Sequence, residues 1–183
     1  VFLQETAVIE PQTLSTAPLG EIRADASTGT WIIDGSAIRQ TDTEPTDYIA
    51  GTGLAGEQYA LSVDITLPAD NPLAGAGLIF HMNGRDDLRQ GHMLRFGEGG
   101  NVLFWGQYDE NGVFFGEGDV ALDLQPGVAH TLLIAVRDGS YDIQVNDETV
   151  ASNILLARDG GWIGLLSFSG PVTFENVRLE LGE

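Results

Sequence analysis

The chain has no cysteine and no lysine. The first absence excludes a disulfide framework, thiolate catalysis and cysteine-ligated zinc. Together they exclude both a disulfide and a lysine–asparagine isopeptide as an intramolecular staple, so the fold must rest on packing and hydrogen bonds. Positive charge is scarce altogether. Eight bases, every one an arginine, face 27 acids, for a formal net charge of −19. Such a surface repels phosphate backbones and anionic headgroups, which excludes nucleic acid as a partner and electrostatic docking on membranes. Cations, neutral sugars and basic proteins remain available to it. No apolar run approaches the roughly 20 residues of a membrane span, so direct membrane insertion is not expected.

What is present fits one domain. The 183 residues, 43% of them hydrophobic, supply one sizeable core, and 24 glycines suit many tight turns. Residues 1–29 are rich in Thr, Ser, Ala and Pro and read as an arm or linker with an edge strand; residues 30–183 read as the folded domain. The chain begins at Val1 rather than Met, so a fragment or processed product of a secreted or cell-surface precursor is expected, bacterial in the first instance.

From Trp31 onward the hydrophobic period is two. Tyr59, Leu61, Val63, Ile65 and Leu67 interleave with Ser62, Asp64 and Thr66, which describes a strand with one buried and one wet face. Leu132, Ile134 and Val136 repeat the pattern, as do Tyr141, Ile143 and Val145. Asp138-Gly139, Asn111-Gly112, Asn146-Asp147 and Gly97 to Gly100 supply turns between such runs. Thirteen strands are expected between Trp31 and Leu181, with one helical turn at most, at Leu122–Gln125. So many short strands cannot bury one wide sheet, which predicts an all-β, two-sheet antiparallel jelly-roll sandwich. In the last strand Val172 and Phe174 share one parity while Val177, Leu179 and Leu181 share the other, so a bulge is expected near Glu175-Asn176.

Gly29-Thr30-Trp31-Ile32-Ile33-Asp34-Gly35, followed by Ala37-Ile38-Arg39-Gln40, resembles the opening hairpin of the concanavalin A-like lectin/glucanase superfamily, which includes laminin-G-like and 3-keto-disaccharide hydrolase-like domains. Gly160-Gly161-Trp162-Ile163-Gly164-Leu165 and Val172-Thr173-Phe174-Glu175-Asn176-Val177 resemble its closing strands, and Ala76-Gly77-Leu78-Ile79-Phe80-His81 its central strand. The resemblance implies a concanavalin A-like sandwich over Trp31 to Leu181. Two departures bear on activity. His81 stands where many hydrolase-like relatives carry Arg. The three spaced acids of the glucanase relatives are also missing; the nearest string, Glu117-Gly118-Asp119, has Leu122 in place of the third.

Alternation on the middle strands groups the candidate site. Leu78, Phe80 and Met82 are expected inside, as are Leu94, Phe96, Val102 and Phe104. That leaves Ile79, His81, Met93, Arg95, Leu103, Trp105 and Gln107 on the other surface. His81, Arg95, Trp105 and Gln107 are the expected ligand-binding residues: an aromatic plate to stack on a sugar ring, beside donors and acceptors for its hydroxyls. Three histidines without close spacing do not form a zinc site, and no Gly-x-Ser-x-Gly elbow marks a nucleophile. No cofactor is required, and one calcium ion at most is expected, since no dense loop of oxygen ligands is visible.

These readings describe an extracellular or cell-surface recognition or adhesion module, non-catalytic, with carbohydrate as its ligand. Two alternatives stay open: a sugar-active hydrolase related to the 3-keto-disaccharide hydrolases or glucanases, and a structural subunit or spacer whose partner is another surface protein.

Overall fold

A computed structural model describes residues 28–34, 37–84 and 87–181. The arm expected over 1–29 lies outside these apart from its last two residues. Among the described residues thirteen strands form, one for each expected segment: β1 (Trp31–Asp34), β2 (Ala37–Gln40), β3 (Asp47–Ala55), β4 (Tyr59–Thr66), β5 (Gly75–Met82), β6 (His92–Gly97), β7 (Val102–Tyr108), β8 (Phe114–Ala121), β9 (Ala129–Arg137), β10 (Ser140–Val145), β11 (Glu148–Leu155), β12 (Gly161–Phe168) and β13 (Val172–Leu181). Leu122–Gln125 carries no helical turn; the one short helix described is a 3-10 turn at Glu98–Gly100.

The turn chemistry acts as its residues dictate. Asp138 and Gly139 both take positive φ, 50° and 73°, as do Asn146 and Asp147, 49° and 67°. Paired left-handed residues of this kind match the twist of the flanking strands and close β9–β10 and β10–β11 as tight hairpins. The strands assemble into a seven-stranded sheet, β1-β2-β13-β4-β9-β10-β11, and a six-stranded sheet, β3-β12-β5-β6-β7-β8, with every pairing antiparallel. The bulge in β13 is present. Its register against β4 shifts between Glu175 and Arg178, with Asn176 at φ 50°, and this returns Val177 and Leu179 to the face of Phe174.

The two sheets differ in how their faces are used. β4 alternates strictly between buried and half-buried residues, and β10 does the same. Their inner side chains join Leu132, Ile134, Phe174 and Leu179 in the main core, against Leu78, Phe80, Leu94, Phe96 and Leu103 from the six-stranded sheet. In contrast, β5 is buried at every position. The outer face of its sheet carries a second apolar cluster of Ile79, Met82, Met93, Tyr108 and Leu166, flanked by Ile49, Leu88, Phe104, Phe114 and Trp162. An antiparallel sheet with both faces covered reads as continuous apolar sequence, and its strands lose the alternation that reveals a face.

That loss corrects the expected parity of β7. The register pairs His92 with Gln107, Leu94 with Trp105 and Phe96 with Leu103, and directly paired residues share a face. Leu94, Phe96 and Leu103 are in the main core, so Trp105 and Gln107 point inward too, while Phe104 belongs to the outer cluster. Met82 is corrected in the same way. A register shift between Trp162 and Gly164 against β5, with His81 at φ 55°, advances the strand by one residue. Met82 then joins Ile79 outside, and the His81 ring turns inward beside Phe80. Trp31 and Trp162 are half-buried, against the main core and the outer cluster respectively.

Candidate functional site

Following the register across the outer face of the six-stranded sheet gives two rows. Asp47 on β3 pairs with Phe168 on β12, which pairs with Gly75 on β5. One pleat further along, Gly77 on β5 pairs with Arg95 on β6, which pairs with Phe104 on β7. Glycine occupies both outward positions of β5 between Arg95 and Phe168. A Cβ on Gly77 would lie 2.0 Å from the Leu94 carbonyl oxygen and 2.5 Å from the Arg95 Cα, so no larger residue fits there. The Arg95 side chain lies across this bare stretch of β5. Its guanidinium sits 4.7 Å from the centroid of Phe104 and 4.5 Å from that of Phe168, and its Nη1 donates to Asp47 Oδ1 at 2.5 Å. A planar, delocalised cation suits this double stacking; an ammonium would not.

The electrostatics follow from burial. The Arg95 side chain is 16% exposed against 43% for Asp47. Burial pushes the Arg95 guanidinium below its ordinary value, while the Asp47 carboxylate pulls it back up. Burial, and then the charge of Asp47, push the Tyr108 hydroxyl up to about 12, so it remains a neutral donor. Beside this pair opens a groove of about 450 Å³, lined by Arg95, Phe104, Phe168, Val102, Glu98 and Asp119 with Leu73, Gly75 and Gly97. Apolar rings next to fixed donors and carboxylate acceptors can seat a small polyhydroxylated ring: its C–H face against the aromatics, its hydroxyls on the charged groups.

Of the four expected ligand-binding residues, Arg95 alone reaches this face. Trp105 leans inward on the main core, and a Cβ on Gly118 would lie 2.3 Å from its Cζ2, so the indole rests on the β8 backbone. Gln107 shares that inner face through its pairing with His92. His81 is fully buried, and its Nδ1 donates to the Arg158 carbonyl at 2.8 Å. The sequence reading missed Asp47, Phe104 and Phe168. The available signal was Gly75-x-Gly77 on the central strand, which marks where a neighbouring long side chain can cross.

Two antiparallel sheets in this order define a jelly-roll sandwich, and the chain has the concanavalin A-like fold. Among solved structures it is similar to the carbohydrate-binding module CBM66 from Bacillus subtilis, with a TM-score of 0.73 and 17% identity over 84% of this chain and 92% of that one. It is also similar to the Emp47p carbohydrate recognition domain (TM-score 0.64, 10% identity, 86% and 88% covered) and to the Ca2+-bound exoplasmic/lumenal domain of VIP36 (TM-score 0.63, 11% identity, 91% and 88% covered). No family model and no curated protein matches the sequence. The VIP36 structure holds calcium. Among the described residues here, no group of three or more His, Cys, Asp or Glu side chains converges to hold a metal ion. No described helix is long and apolar enough to cross a membrane.

Proposed function

We propose that the chain is a non-catalytic carbohydrate-binding module of a secreted or cell-surface protein, and that it takes a neutral sugar in the groove over Arg95, Phe104 and Phe168. The observation that carries the reading is the Arg95 guanidinium lying against two phenylalanine rings and paired with Asp47, at the edge of an open groove. The fold neighbours support it, since two of the three named above are a carbohydrate-binding module and a carbohydrate recognition domain. Charge selects the ligand class. Glu98 and Asp119 in the groove and Asp47 beside it outnumber the single Arg95, so uronic and sulfated sugars are repelled and uncharged ones are not.

A glycan array followed by calorimetry on the best neutral hit tests this. Phe168→Ala should weaken binding by roughly 1–3 kcal/mol, the range for truncating an aromatic contact, and leave the sandwich folded. Equal binding by wild type and by both Phe168→Ala and Arg95→Met would refute the assignment. Release of reducing sugar by the wild type would favour a hydrolase instead.

A further inference from the structure

Inside the sandwich, at the end closed by residues 156–160, four buried polar groups meet. Tyr59 on β4 and Tyr141 on β10 both pair with Val136 on β9 and so flank it on the inner face of the seven-stranded sheet. From the opposite sheet come His81 and His92. The ring centroids of Tyr59 and His81 are 5.7 Å apart, those of His81 and His92 6.5 Å, and those of His92 and Tyr141 5.5 Å. None of the four residues is more than 3% exposed.

The backbone dictates the tautomer of each imidazole. A carbonyl can only accept, so the His81 Nδ1 that contacts the Arg158 oxygen carries the hydrogen, leaving Nε2 a bare acceptor. An amide can only donate, so the His92 Nε2 that receives the Ala157 N–H at 2.9 Å is bare, and the hydrogen of the neutral ring sits on Nδ1. The two outstanding atoms, His81 Nε2 and His92 Nδ1–H, are thus an acceptor and a donor. Neither has a hydrogen-bond partner among the described residues, and neither do the hydroxyls of Tyr59 and Tyr141. A direct N–H···N bond between the rings would need centroids about 5 Å apart. At 6.5 Å and 83° the rings stand too far apart for it. Buried polar groups are rarely left unpaired, and a buried water ordinarily takes about three partners.

We propose that this cluster is an internal water-binding site in which ordered water bridges His92 Nδ1–H to His81 Nε2 and is shared with the Tyr59 and Tyr141 hydroxyls, and that the hydrated pair fastens residues 156–160 only while His92 is neutral. Protonation of His81 falls on Nε2 and spares its bond to Arg158. Protonation of His92 falls on Nε2 and sets a donor against the Ala157 N–H, so the fastener fails there. The charged or titratable neighbours are Arg158 and Asp159 on the connection, which act on His81, and Glu117 on β8, which acts on Tyr141. Burial, then the charge of His81, lowers His92 to about 4. Through Arg158, whose Nη1 donates to Asn83 Oδ1 at 2.9 Å, the connection also holds the start of the β5–β6 loop.

The test needs no sugar and so stands apart from the binding assignment. Ring-nitrogen NMR of the wild-type protein at pH 7 should find both His81 and His92 as Nδ1–H tautomers, although free histidine favours Nε2–H. A crystal structure at the same pH should show a water peak within hydrogen-bond distance of His81 Nε2 and His92 Nδ1. An Nε2–H tautomer in either ring, or rings and hydroxyls paired directly with no solvent between them, overturns the proposal. Ala157 amide exchange, corrected for its intrinsic pH dependence, should accelerate about tenfold per pH unit between about 6 and 4, one proton being taken up on opening. His92→Gln, which keeps an acceptor for Ala157 but cannot titrate, should abolish that acceleration. The same acid profile in both proteins would also overturn it.

Discussion

Replacing Trp105 by alanine separates a structural indole from a ligand-stacking one. The side chain leans inward from β7, pairs across the ladder with Leu94, and packs against Gly118 of β8. Complete loss of a buried tryptophan costs roughly 3–5 kcal/mol, through lost transfer energy and the cavity left behind. Trp105 is only partly buried, so the low end applies, about 3 kcal/mol. For a domain of this length that is a fall of roughly 6–12 °C in melting temperature. Thermal melts by far-ultraviolet circular dichroism should show it, with the midpoint in urea shifting in parallel. Gly118→Ala attacks the same contact from the other side, since its Cβ would lie 2.3 Å from Cζ2 and 2.7 Å from Cε2, and should cost about 1–3 kcal/mol by overpacking. A Trp105→Ala protein that melts like wild type yet no longer binds a sugar would refute this account and place the indole on the ligand surface.

Three further outcomes are expected. His92 is held at about 4, below its ordinary 6.5, so the unfolded chain binds the extra proton between those values. Its contribution is therefore complete above about pH 6.5 and lost as pH falls toward 4, by up to about 3 kcal/mol; urea unfolding of wild type and His92→Gln across that range should differ by this amount, and a wild type that gains stability on acidification would contradict it. Gly77→Ala forces a methyl to within 2.0 Å of the Leu94 carbonyl oxygen and should destabilise by at least about 1–3 kcal/mol while disturbing Arg95, so a variant with a wild-type melt and full sugar binding would show that β5 and β6 are not so closely set. Calcium chelation should leave the melting temperature unchanged, and a fall of many degrees would expose a strong site that the carboxylates do not reveal.

The seven-stranded sheet was plain in the sequence because one of its faces is wet. Ser62 and Asp64 between Leu61, Val63 and Ile65 can only be outside, and the turns Asp138-Gly139 and Asn146-Asp147 fix the register of β9, β10 and β11. The parity break in β13 was legible for the same reason. The six-stranded sheet was legible as strands but not as faces. Val102-Leu103-Phe104-Trp105 is apolar at both parities, and nothing local says which pair meets the main core. The phase of β5 turns on the shift at His81, whose positive φ no neighbouring residue announces. Arg95 was found because a lone cation on an apolar strand cannot face the core. Asp47 and Phe168 were not, because they reach Arg95 only through a strand order in which β3 and β5 both flank β12.

The double covering of β5 also sets where this chain can change. On β4, β9 and β10 every second side chain is only partly covered, so a saturation scan of substitutions should alternate between tolerance and loss with a period of two. On β5 no position from Gly75 to Met82 is uncovered, and the same scan should show an unbroken block of intolerance eight residues long. Sequence drift is therefore expected to concentrate on the outside of the seven-stranded sheet, where new surface properties can arise without disturbing the groove on the opposite side. A grafted epitope or a solubilising charge belongs on β9 or β10 for that reason, and an attempt to retune the ligand has to start from β3, β7 and β12, which lie to either side of a strand that cannot give.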